Sequence, residues 1–212
     1  MLGKKQKPVY LTKKGINSIL NKKNGLFIRP LLSEDQINEV SVDLRLGSDF
    51  LVSIQGREPY INASRNIKDI GYIDSFFQET RRRIGENFLL HPNQTVLAST
   101  LEYVKFPNDV MGIVSMRSSY LRLGLTISSI IQPGYCGCVS LELTNINKSP
   151  INLTIGACII QVRLVKLEES LNYFASKRKY ICQVRPILPS FHQDKDLETL
   201  NKIWSLENNR NH

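Results

Sequence analysis

Hydrophobic and polar residues alternate with a period of two along much of this chain. Val42, Leu44 and Leu46 alternate with Ser41, Asp43 and Arg45, which predicts a strand ending at Gly47. Residues 50–54 continue in the same style. Residues 88–90 and 95–100 read as strands around the turn HPNQ. Residues 102–106 and 110–115 follow, separated by the turn signal Pro107-Asn108-Asp109. Residues 139–144, 151–155 and 158–165 complete the set, punctuated by Asn147-Lys148-Ser149-Pro150 and Gly156. Helical spacing is confined to the two ends of the chain. Residues 8–24 read as a short helix, with Thr12 as N-cap, Ile16, Ile19 and Leu20 on one face, and Asn24-Gly25 as its stop. A helical turn is expected after Ser33, where Glu34 and Asp35 suit the positive end of a helix dipole. Residues 55–86 are polar and read as a long excursion with at most short strands. Many short strands between polar turns predict an all-β sandwich or barrel with short N-terminal helices. It is expected as one domain over residues 1–212, helical at 1–38. Residues 168–212 are expected to form a charged tail able to pack over a site or a neighbour.

Composition supports a folded core, with 42% hydrophobic residues. No apolar run approaches the ~18 residues needed to cross a membrane. The basic start MLGKKQKPVYLTKKG has no apolar segment behind it and is not expected to be a secretory signal. A formal net charge of +9 suits an anionic partner, or equally a lysine-rich surface. The basic groups at 4–23, 81–83 and 177–179 are separate, which argues against a nucleic-acid-binding tail. Of four cysteines, Cys136 and Cys138 are too close together for a zinc knuckle. The three histidines are scattered, so no zinc site is expected. Reduced thiols and a cytoplasmic location are the corresponding expectations.

The chemistry concentrates in residues 117–143, RSSYLRLGLTISSIIQPGYCGCVSLEL. On the predicted strand 139–144, Val139, Leu141 and Leu143 take one face, and Cys138, Ser140, Glu142 and Thr144 the other. Glu142 is then either a solvated strand glutamate or a candidate general base. Arg117, Ser118, Ser119 and Arg122 follow an apolar strand. They form either a surface loop with ion pairs or a cradle for phosphate, strengthened if 118–123 is a helical turn. Tyr135, after the Pro133-Gly134 turn, suits stacking on a base or sugar, or simple packing.

These residues resemble the dCTP deaminase branch of the dUTPase-like superfamily. SVDLRLGSDF at 41–50 is similar to the family's N-terminal strand. Residues 88–125 are similar to its central block, and PGYCGCVSLELTN at 133–145 to its catalytic strand. NKSPINLTIGACIIQVRL at 147–164 is similar to the strands that follow, and KYICQ at 179–183 to the phosphate-binding tail. The pair RSS-x-x-R-L-G-L and PG-[YW]-x-G-x-x-x-LE, in this order, is specific. The resemblance implies a homotrimer of distorted jelly rolls with sites between subunits. It implies deamination of dCTP to dUTP, or onward hydrolysis to dUMP and pyrophosphate, with Mg2+ bound through the nucleotide triphosphate and no zinc. It assigns Glu142 as general base and Ser118 as the residue orienting water or amine. Arg117, Ser119 and Arg122 fall to the phosphates or to ordering the site, and Tyr135 to the deoxyribose. Lys179, Gln183 and Tyr173 belong to a tail that closes over the triphosphate. Gln132 stands where the family has an aspartate beside the sugar, and the segment 126–131 is shorter than usual. A catalytically weak nucleotide-binding protein, or a pyrophosphatase for another deoxynucleotide, are the alternatives on the same scaffold.

Overall fold

The structure is a computed structural model and describes residues 7–56, 59–63, 70–127, 129–171, 180, 182–190 and 195–208. The chain gathers into two compact units, Met1–Ser53 with Glu79–Ile187, and Ile54–Gln78 with Leu188–His212.

The first unit begins with β1 (Val9–Tyr10), α1 (Lys13–Ile19) and β2 (Phe27–Arg29). Thr12 caps α1 as its sequence predicts, its Oγ1 accepting from the Gly15 N–H at 3.5 Å, and Ile16 is fully buried. The helix is shorter than the 8–24 expected, and residues 1–38 are not all helical, because Val9 and Tyr10 pair with Lys166 and Val165 and residues 27–29 pair with residues 103–105 as strands. Ser33 opens a 3₁₀ turn at Glu34–Gln36, where Gln36 completes a capping box. β3 (Val42–Ser53) does not end at Gly47. Gly47 marks a close approach instead, since a Cβ there would lie 2.6 Å from the Ser99 carbonyl oxygen.

Among its described residues the polar excursion holds α2 (Ile70–Asp74) and β4 (Phe77–Arg81). Then come β5 (Asn87–Leu90), β6 (Thr95–Lys105), β7 (Val110–Met116) and α3 (Ser118–Arg122). β8 (Leu125–Thr126), β9 (Ser129–Ile131), β10 (Cys136–Asn145), β11 (Ile151–Thr154) and β12 (Cys158–Lys166) follow. Two differences from the sequence pattern stand out. Helices α2 and α3 lie inside the chain, not only at its ends. β6 is one strand where the pattern reads two, at 95–100 and 102–106; Glu102, which opens the second, is buried and both its carboxylate oxygens accept hydrogen bonds.

The main sheet runs β8-β10-β6-β3-β12-β7-β9, with β1 added to β12 and β2 to β6; β5 and β11 form a separate ribbon. β8 and β9 occupy opposite ends of that order, yet Thr126 and Ser129 are three residues apart, at most ~11 Å of chain. The two ends must therefore approach each other, so the sheet curls. Its concave side holds the core: Val139, Leu141 and Leu143 of β10, Val42, Leu44 and Leu46 of β3, and Ile160, Val162 and Leu164 of β12 are all buried. Phe50 stacks on Phe88 with ring centroids 4.2 Å apart. The all-β expectation is met.

In the second unit, the Tyr72 hydroxyl accepts from the Asn62 N–H at 2.7 Å and donates to the Tyr60 carbonyl at 3.2 Å. The Tyr72 and Phe76 rings meet edge-on. The unit also contains α4 (Lys195–Asn208), which leaves Leu200, Ile203 and Trp204 exposed. Among the described residues no helix is long and apolar enough to cross a membrane.

Candidate active site

β10 is the strand on which the sequence predicts the catalytic acid, and its alternation is as expected from Val139 onward. Glu142 sits opposite Leu97 of β6, on the outer face and exposed. Enough protein still surrounds the carboxyl to strip part of its hydration, which raises its pKa; a hydrogen bond from its own backbone amide offsets part of that rise. Below Val139 the pattern breaks. The pairing with β6 shifts between Cys138 and Ser140, and Cys138 is buried rather than on the polar face. The Val139 N–H released by this bulge donates to Thr100 Oγ1 at 2.9 Å. Burial pushes the Cys138 thiol up to about 11.

The turn before β10 explains its Pro-Gly. The Tyr135 N–H donates to the Gln132 carbonyl at 3.1 Å, and Gly134 takes φ +76°, as the third residue of a type II turn requires. Gln132 thus occupies the first turn position, half-buried. The turn aims Tyr135 back along the strand, where its hydroxyl donates to the Cys138 carbonyl at 2.6 Å. Burial drives the Tyr135 phenol pKa well above its ordinary value, so it acts as a neutral hydroxyl.

A distant segment docks on this end of β10. The Cys182 N–H donates to the Cys136 carbonyl at 2.9 Å, and the Cys138 N–H to the Gln183 carbonyl at 2.8 Å. Gln183 is buried; its Nε2 donates to Ser140 Oγ at 3.1 Å, and its Oε1 has no donor among the described residues. Gly137 makes this approach possible. Its φ is +140°, and a Cβ would lie 2.9 Å from the Gln183 carbonyl oxygen and 3.0 Å from the Tyr135 hydroxyl.

α3 forms because Arg117 leaves β7 in an extended conformation, with its carbonyl accepting from Tyr120 and Leu121, and Gly124 at φ +87° ends the turn. Arg117 is anchored: its Nε lies 3.1 Å from Asp43 Oδ2, and its Nη1 donates to the Cys158 carbonyl at 3.1 Å. Ser118, Ser119 and Arg122 are exposed, with Leu121 and Leu123 exposed beside them. The far end of α3 is tied to the end of β10, Asn147 Nδ2 donating to the Leu123 carbonyl at 2.9 Å. No hydrogen bond or ion pair between described residues joins Glu142 to Arg117, Ser118, Ser119 or Arg122.

Residues 10–167 match the dCTP deaminase-like family. The chain belongs to that family. It is 38% identical over 168 residues to the dUMP-forming dCTP deaminase of Methanobrevibacter smithii, covering 76% of this chain and 84% of the relative. It is 34% identical over 184 residues to the dCTP deaminase of Halorubrum lacusprofundi, covering 85% of this chain and 84% of that one. The fold is similar to that of a crystal structure of 2'-deoxycytidine 5'-triphosphate deaminase from Agrobacterium tumefaciens. The TM-score is 0.57 at 21% identity, covering 76% of this chain and 47% of that chain.

For this member of the dCTP deaminase-like family, the structure gathers the residues singled out from sequence into two groups. Tyr135 and Gln183 meet on β10, the strand of Glu142, with Gln132 in the adjoining turn. Arg117, Ser118, Ser119 and Arg122 share α3. Tyr173 and Lys179 lie outside the described residues. Sequence reasoning missed Asp43, Gly137 and Ser140. Gly137 was legible as the second glycine of PG-Y-x-G; the other two were not, because their partners are 74 and 43 positions away.

Proposed function

We infer that this protein hydrolyses the exocyclic amine of dCTP, with Glu142 as general base. The observation that carries this reading is a strand glutamate of raised pKa, on the same strand that binds a buried glutamine whose acceptor has no donor among the described residues. A base of raised pKa holds a proton more readily once it has taken one, which suits a residue that must pass it on. In the proposed reaction Glu142 takes a proton from water, and the resulting hydroxide adds to C4 of cytosine. Glu142 passes that proton to N3, then takes the C4 hydroxyl proton and delivers it to the amine; as C4=O forms the C4–N bond breaks and ammonia leaves. Ser118 orients the water or the amine. Gln183 Oε1, with no donor among the described residues, fits an N–H donor of the ligand, and a buried acceptor without one costs about 1–3 kcal/mol. Tyr135 packs beside the deoxyribose and Gln132 hydrogen-bonds near it. Arg122 and Ser119 meet the phosphates, with Arg117 held by Asp43 to order α3. Tyr173 and Lys179 complete the phosphate contacts in the proposal. Mg2+ arrives as part of the substrate, on the triphosphate.

Two kinds of relative bear on the product. That of M. smithii is named dUMP-forming and that of H. lacusprofundi simply dCTP deaminase. We assign deamination as the shared step, giving dUTP, with hydrolysis to dUMP and pyrophosphate as the onward step. The test is purified protein with dCTP or dUTP and Mg2+, following ammonia, pyrophosphate and the nucleotide. Ammonia from dCTP, lost in Glu142→Gln, is the expected result. Pyrophosphate from dUTP without ammonia from dCTP overturns deamination, and tight binding without turnover overturns catalysis.

A further inference from the structure

Two cysteines at the start of β10 and in the docked segment take no part in the chemistry above. Cys136 and Cys182 are 46 residues apart in sequence, yet their Sγ atoms are 2.7 Å apart. Both are free thiols, Cys182 exposed and Cys136 half-buried, so an oxidant in solvent can reach them. Their approach is held by more than the two side chains. The backbone bonds from Cys182 to Cys136 and from Cys138 to Gln183 fix the segments side by side, and Gln183 is tied to Ser140. Further along, Arg185 Nε lies 3.8 Å from Asp49 Oδ1 of β3. The Tyr103 phenol lies against both sulfurs; burial first, and then the two cysteines, push it up to about 12. Sulfurs in a disulfide are ~2.05 Å apart, so closing the bond asks for only a small movement of the docked segment.

We propose that Cys136 and Cys182 form a reversible disulfide that latches residues 182–187 onto β10. Each thiol gives up one proton and one electron as the S–S bond forms. A peroxide takes the two electrons and two protons and becomes water and an alcohol, or two waters for hydrogen peroxide. A small-molecule disulfide instead becomes two thiols. The hydrogen bond shared with Cys136 raises the Cys182 thiol pKa, so that thiol stays protonated until such an oxidant is present. The latch fixes Gln183, the residue whose side chain the deaminase reading places against the nucleotide. If the deaminase reading holds, oxidation therefore slows entry and release of nucleotide.

The experiment treats the purified full chain with hydrogen peroxide or with dithiothreitol. It maps the bridge by non-reducing peptide mass analysis, measures amide exchange at 182–187, and assays ammonia release from dCTP. The expected result is a Cys136–Cys182 peptide lighter by two hydrogens. With it, exchange at 182–187 slows by on the order of tenfold or more. Turnover falls and returns with dithiothreitol. Cys182→Ser and Cys136→Ser abolish all three responses, while Cys158→Ser keeps them. A bridge between other cysteines, no bridge, or a bridge that leaves exchange unchanged overturns the latch. Unchanged turnover in fully bridged protein overturns its regulatory effect. Absence of turnover in the reduced protein counts against the deaminase reading alone, because bridge and exchange are read independently of it.

Discussion

At Glu142 the environment that suits a proton carrier also costs stability. Its folded pKa is raised, so the native state holds the proton more tightly than the unfolded chain. That contribution is fully present below the unfolded value of about 4.3 and is lost as pH rises through the folded pKa. Glu142→Gln removes the loss. Its melting temperature is expected to match wild type near pH 4 and to exceed it at pH 7, while ammonia release falls by at least ~10³-fold. An unchanged melting difference between the two pH values would contradict the assignment. Glu102 is the contrasting acid. It is wholly buried and its pKa is also raised by burial, yet it sits off the reactive face. Its carboxylate accepts from the Arg45 N–H at 2.8 Å and from Gln36 Nε2 at 2.9 Å. Glu102→Ala strands both donors and is expected to cost about 3 kcal/mol in urea unfolding. Glu102→Gln, which keeps an acceptor, should cost less.

Among elements, β10 and the segment docked on it depend on one missing side chain. Gly137→Ala forces a Cβ against Gln183 and Tyr135. The expected result is a rise in KM for dCTP of roughly tenfold, about 1.4 kcal/mol, with a smaller change in kcat. Equal loss in kcat with KM unchanged would contradict a role in docking the segment. α3 has a similar dependence on Asp43, the carboxylate that holds Arg117. Asp43→Asn is expected to raise KM and leave the fold intact by circular dichroism. The elements also show how far the sequence could be read. The alternation of Val139, Leu141 and Leu143 located β10 and its outward glutamate, and Thr12 and Ser33 located their helical turns, because each depends on near neighbours. What escaped depends on distant ones. β6 read as two strands because nothing local announces that Gln36 and the Arg45 N–H bond a buried acid at 102. α2 and α3, at five residues each, are too short to show a helical stripe. Cys136 and Cys182 carry no local signal of pairing at all.

At the scale of the molecule, β8 pairs with β10, and α3, which leads into β8, is tied to the end of β10. Even so, Ser118, Ser119 and Arg122 are left pointing outward with Leu121 and Leu123. Within one chain no described bond links them to Glu142. A hydroxyl and a guanidinium that must meet the same nucleotide as Glu142 can do so if they reach it across a contact between copies. Exposed leucines beside them are the kind of surface such a contact covers. The homotrimer implied by the sequence resemblance supplies that arrangement as a proposal. It makes a prediction that a self-contained site does not. Glu142→Gln and Arg122→Ala are each expected to be nearly inactive alone. Mixed, denatured together and refolded, they should regain activity, since an assembly can then combine an intact Glu142 from one copy with an intact Arg122 from another. Refolding each variant separately before mixing is the control. If co-refolded protein of wild-type assembly size stays as inactive as the separate variants, each site is complete within one chain, and α3 must reach Glu142 by a movement of its own protomer.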